Sequence, residues 1–183
     1  MAIALLLLTA LALAGFLVTS AGGFALASQL AAHVPAARTL VTHHILVAIP
    51  TVLLSLFAQS MVIFYFIGTG KLVKDEVADY PEPERRVVLK ALRRFKSQTS
   101  PAATLALLSA IVVFVIGGAV HTRALPSWTH LAAAIAAVLT HFWAFMVEWR
   151  VFAENNRLME DPRAYARGGA RSKKRVARSS NGG

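Results

Sequence analysis

Apolar residues in this chain run in long uninterrupted blocks instead of the alternating stripes of water-soluble helices or strands. Between successive fixed charges lie Ala2 to Ala37 (36 residues), Thr39 to Gly70 (32), Ser97 to Thr122 (26) and Ala124 to Val147 (24). A helix rising 1.5 Å per residue crosses a hydrocarbon core roughly 30 Å thick in about 20 residues, so each block is long enough to span a bilayer. Backbone amides and carbonyls have no partners in hydrocarbon, and a helix satisfies them internally. The pattern therefore predicts an all-α integral membrane protein, a four-helix transmembrane bundle with spans near 3–26, 46–69, 102–121 and 128–150. Residues 1–162 form the membrane domain and 163–183 a basic tail.

Local signals refine the ends. Ser100 followed by Pro101 has the make-up of a helix start, with the hydroxyl as cap and proline at the first helical position, and Pro126-Ser127 offers a second such start. Asp161-Pro162 is a stop, so the fourth helix is expected to continue past the membrane through Phe152 and Leu158. Gly68-Thr69-Gly70 near the end of the second span reads as a break or a close packing point. Ala25-Leu26-Ala27 fits the small-x-small pattern of a signal-peptidase site. The apolar run before it carries no Lys or Arg, and its length favours a retained helix.

Charge sets the threading. Eight Lys or Arg fall between Lys71 and Lys96 and nine between Arg150 and Arg178, which is seventeen of nineteen. Only Arg38 and Arg123 remain for the other side, so the positive-inside rule places the 71–100 loop, the tail and both termini in the cytoplasm of a multi-pass inner-membrane protein. A net charge of +10 would suggest nucleic acid in a soluble chain, but with 56% hydrophobic and 15% charged residues it points to anionic headgroups. No nucleic-acid partner is expected. The tail from Arg163 holds seven basic residues, no acids and Gly- or Ser-rich stretches, and is expected to be irregular.

Within the loop, Val88, Ala91, Leu92 and Phe95 recur at helical spacing, flanked by Arg85, Arg86, Lys90, Arg93 and Arg94. That composition suits a cytoplasmic amphipathic helix lying in the headgroup region with its cations on anionic lipid. A solvated connector is the competing reading.

Chemistry concentrates in six histidines, because there is no cysteine and hence no thiolate ligand or disulfide. His33, His43, His44, His121 and His130 fall at the outer ends of helices. Haem b in a bundle needs two imidazoles from facing helices at one depth, and His44 with His121 or His130 meets the depth condition. The alternative is that these are ordinary interfacial anchors, like Trp128. His141 lies near mid-membrane, where a neutral ring bonded to Gln59, Ser60 or Ser109 is expected, a buried polar layer. His44, Thr51, Ser55 and Gln59 share one face of the second helix. Glu148, beside Trp149 and Arg150, is a candidate proton or quinone group whose ordinary state at an interface is solvated.

No nucleophile–base–acid set, carboxylate pair, phosphate loop or HExxH-type motif is present, so catalysis is not expected. The sequence favours a non-catalytic accessory or scaffold subunit docked to other membrane-protein subunits. The alternative is a membrane electron carrier holding haem b or quinone at the outer histidines. A transporter or channel component has less support, with one buried ionisable histidine to line a path.

Overall fold

The structure is a computed structural model that describes residues 1–32 and 37–168; His33 and residues 169–183 lie outside them. The described residues hold four long helices, α1 (Ala2–Ala31), α2 (Ala37–Glu76), α3 (Glu82–His121) and α4 (Ser127–Glu160), and a short α5 at 162–168. All four long helices are long and apolar enough to cross a bilayer, the architecture of a multi-pass membrane protein. Large apolar side chains such as Leu46, Leu53, Phe64, Leu139 and Phe142 point outward, as they do when lipid replaces water around a bundle.

Each long helix packs on the next around a ring, α1 on α2, α2 on α3, α3 on α4 and α4 on α1. The α2–α4 diagonal is crossed by side chains, and the polar residues of the interior collect there. One end of the bundle carries the histidines and the other the Lys- and Arg-rich segments.

At the basic end the helices outrun any membrane. At 40 residues, α3 is about 60 Å long, roughly twice the hydrocarbon thickness. Its first half is the segment expected to lie in the headgroups, and here the expectation is corrected. Val88, Ala91, Leu92 and Phe95 are buried against Val73 of α2, Val77 of the turn that follows it, and Val151, Phe152 and Leu158 of α4. The stripe is amphipathic, but its apolar face meets protein instead of lipid, because α2 and α4 extend far enough to cover it. Of the flanking cations, Arg85 and Arg86 pair with Glu82, and Arg94 pairs with Glu154.

Of the two predicted helix starts, the one at Ser100-Pro101 is displaced, and the one at Pro126-Ser127 is found without the expected cap. Pro101 lies inside α3, since the amphipathic segment and the third span are one continuous helix. Proline there deprives the Ser97 carbonyl of its amide, a loss that neighbouring helices make tolerable. Ser127 is the first residue of α4 and makes no capping bond; Thr129 donates its hydroxyl to the Pro126 carbonyl at 2.7 Å instead. Gly68 and Gly70 neither break α2 nor pack closely, for the space beside each is open. Pro50 is likewise accommodated within α2.

The turn from α3 to α4 closes with Thr122 N–H on Gly118 O and Arg123 N–H on Val120 O, both 3.0 Å. Arg123 takes φ 62°, the left-handed position that glycine usually fills after a helix. At the other end, α4 stops at Asp161, whose carboxylate accepts the Ala164 amide at 2.8 Å and so caps α5, with Pro162 at its first position.

The first residues of the segment expected to be irregular are thus helical. They are tied back by Arg163 over the Tyr80 ring at 4.5 Å, by Tyr165 donating to Glu154 at 3.0 Å and by Arg167 to Glu84 at 3.4 Å. Burial, and then the adjacent Glu154 carboxylate, push the Tyr165 phenol up to about 12.

Candidate functional site

Along the α2–α4 diagonal, polar side chains recur in layers because both helices return an inward position every three or four residues. The outermost layer holds His44 of α2 and His130 of α4. Their ring centroids are 6.3 Å apart and their planes nearly perpendicular, at 84°. Each imidazole sits against a glycine of the preceding helix. A Cβ on Gly23 of α1 would come within 3.0 Å of His44 Cε1, and one on Gly117 of α3 within 3.0 Å of His130 Cε1. All four helices thus contribute to this layer, two by an imidazole and two by the absence of a side chain. His130 Nδ1 is buried with no hydrogen-bond partner.

The span between the rings is informative. Two metal–nitrogen bonds of about 2 Å each, plus half a ring on either side, reach about this separation. Among the described residues no three His, Asp or Glu side chains converge on a metal-binding point. Two imidazoles alone cannot complete the shell of a bare ion, whereas haem brings four nitrogens of its own and asks the protein for two axial ligands.

His121 is not part of this layer. It ends α3 and is exposed, as is His43, whose side chain leaves α2 on the lipid side of His44. Of the outer histidines among the described residues, His44 and His130 are brought together, and His43 and His121 are not.

A turn or two deeper, Thr51 packs on Gly15, where an added Cβ would meet its methyl at 2.9 Å, and its hydroxyl lies 3.4 Å from that of Thr19. Next comes His141, buried, with Phe16 of α1 tilted against its ring at 4.2 Å. Its Nδ1 lies 2.8 Å from the Ala137 carbonyl and its Nε2 2.6 Å from Ser55 Oγ. A carbonyl only accepts, so Nδ1 carries the proton, and a neutral ring takes the Ser55 hydroxyl proton at Nε2. The partner expected from the sequence was Gln59, Ser60 or Ser109. The correction is Ser55, because Gln59 lies one turn further along α2 and Ser109 spends its hydroxyl on the Ala106 carbonyl at 2.8 Å.

Gln59 instead shares a layer with Thr9 of α1 and Glu148 of α4. Glu148 is not solvated, as an interfacial glutamate would ordinarily be: it is 0% exposed. The extended ends of the helices close over it, which the sequence could not show. Deepest is Asn155, also fully buried, whose amide donates to the Tyr65 hydroxyl at 3.2 Å.

Sequence reasoning missed the glycine seats, Thr9 and the Tyr65–Asn155 pair. A signal for the last existed: His141, Glu148 and Asn155 are spaced by seven, which keeps them on one face of α4. No family model, curated protein or solved structure matches this chain.

Proposed function

We propose that this protein is a membrane electron carrier that holds haem b at the outer end of its bundle, with His44 and His130 as axial ligands. The observation that carries the reading is the facing pair itself: two imidazoles from diagonal helices, 6.3 Å apart by ring centroid, each backed by a glycine. The buried Nδ1 of His130, which has no partner among the described residues, supports it. The glycines seat the two imidazoles directly against the α1 and α3 backbones.

The orientation belongs to the same proposal. Seventeen of nineteen cations flank the basic end, so both termini lie in the cytoplasm and the histidine layer faces the opposite side of an inner membrane. Electrons would then enter and leave near the outer face.

The visible spectrum of the protein purified from haem-replete membranes tests this. Soret and α bands are expected in the reduced state. His44→Ala and His130→Ala should each abolish them, and His121→Ala should leave them intact. A colourless wild-type protein, or bands indifferent to both substitutions, ends the haem reading.

A second reading, a subunit docked to a larger membrane assembly, draws on a different place. Between the basic ends of α3 and α4 runs a groove of about 1400 Å³ lined by Lys90, Arg93, Arg150 and Arg157 together with Glu154 and Glu160. Migration with larger proteins after extraction in a gentle detergent supports docking, and a lone monomer throughout argues against it.

A further inference from the structure

Glu148 is the one acidic side chain buried among the described residues, and neither of its carboxyl oxygens has a hydrogen-bond partner. No ion pair reaches it; the pairs formed by described residues involve Glu82, Glu84 and Glu154. Every element around it is accounted for. The α1 helix has no ionisable side chain and offers Thr9. From α2 comes Gln59, with Tyr65 the nearest titratable group of that helix toward the basic end. Between Ser97 and Val120 α3 carries no ionisable residue and presents the small, buried Ala102, Ala103 and Ala106. On α4 itself His141 lies two turns away, and Arg150 is exposed, directed away from the interior.

A carboxylate left in such a place would carry a desolvation cost that no positive charge offsets, so the group keeps its proton. A buried neutral acid with only the neutral side chains of Thr9 and Gln59 beside it can exchange that proton once water arrives. Toward the histidine end Gln59 is one helical turn from Ser55, which bonds His141. Toward the basic end lies an aromatic layer: Phe66 and Phe152 are 5.1 Å apart by centroid, and Tyr65 and Phe152 5.0 Å. On the far side of Phe152 the Tyr65 hydroxyl meets the buried Asn155, whose amide donates to it at 3.2 Å.

We propose that Glu148 is an internal proton-loading site, filled from the basic end through Tyr65 and Asn155, with Phe66 and Phe152 as the closure that water must pass. The ligand is the proton. The reaction is a transfer between the carboxylic acid and an entering water, one O–H bond breaking on the acid as another forms on the water, and the reverse on reloading. The site goes beyond the electron-carrier reading and does not depend on what His44 and His130 hold.

Infrared spectroscopy of the full chain in lipid bilayers tests it. Every other described acid is at least partly exposed, so the carbonyl stretch of a protonated carboxyl at neutral pH reports Glu148 alone. The band should be present in the wild type, vanish in Glu148→Gln and persist, displaced, in Glu148→Asp. On transfer to D2O it should shift as the proton is replaced by deuterium. Phe152→Leu, which keeps an apolar side chain in the layer, should speed that shift about tenfold, and His141→Gln should leave it within about twofold of the wild type. The proposal is overturned if the wild type lacks the band, if Glu148→Gln retains it, or if the band never shifts in D2O. A rate insensitive to Phe152→Leu but slowed by His141→Gln overturns entry from the basic end.

Discussion

The two ends of this bundle are built on opposite terms. At the basic end Phe95, Phe152, Leu158, Val77 and Val88 are essentially inaccessible and interlock from α3, α4 and the turn after α2. That end extends beyond the hydrocarbon, so water drives the burial, as in any soluble core. Toward the histidine end the buried residues shrink to Ala110, Ala137 and Val113 with Phe16 and Val52. Lipid is as apolar as leucine, so close approach and polar contacts hold the helices there. The first region is held by large apolar side chains, and the second by polar groups facing one another where glycines bring the helices close.

The comparison breaks most visibly at Phe95. If the amphipathic stripe of α3 is part of a true core, Phe95→Ala should cost about 3–5 kcal/mol in reversible unfolding in detergent. Were the stripe on lipid, as its sequence suggested, the loss would be small. Ser55→Ala sharpens the contrast within the membrane. It removes the hydroxyl from His141 Nε2 and should cost about 0.6–1.7 kcal/mol, the range of interhelical hydrogen bonds in bilayers, by the same unfolding measurement.

The smallest effect concerns the first turn of α3. Glu82 is held below the ordinary glutamate range by the hydrogen bond from Arg86 and then by the charge of Arg85. A lowered value in the folded state means a contribution that is present above the unfolded value and lost as pH falls through the folded one. Acidification through and below the ordinary glutamate range should therefore fray the start of α3, seen as lower amide protection relative to the intrinsic rate over residues 82–86, with the remaining core unaffected. Loss of the entire lobe in that range would show that the exposed pairs matter more than the buried stripe.

The histidines divide along the same line. His141 has both ring nitrogens engaged and an aromatic neighbour, so its chemistry is used up in holding α2 to α4. His44 and His130 face each other with a nitrogen to spare. Depth alone did not separate His130 from His121, because both fall within a few residues of the α3–α4 turn. Their directions differ: His121 ends its helix and points outward, whereas His130 begins a helix whose inward face continues through Ala137, His141 and Glu148.

Other readings failed for a shared reason. Ser100-Pro101 has the composition of a helix start, but a proline can also lie within a helix whose neighbours compensate the missing bond, and only the packing of residues 82–100 on α2 and α4 decided between them. The glycines at 68 and 70 looked like features and have open space beside them, while Gly117, read from the sequence only as a packing residue, and Gly23 seat the two histidines. A glycine's role depends on what stands opposite, which no local window contains.

The number of long helices, their apolar character and the segregation of positive charge follow from the order of residues alone, because the cost of burying charge or bare backbone in hydrocarbon is a property of each segment. Which helix faces which, and therefore whether a histidine meets a serine, another histidine or lipid, was decided by the tertiary structure. That choice is a sum over contacts between residues far apart in the chain, such as His44 with His130 and Ser55 with His141, and no segment carries it by itself.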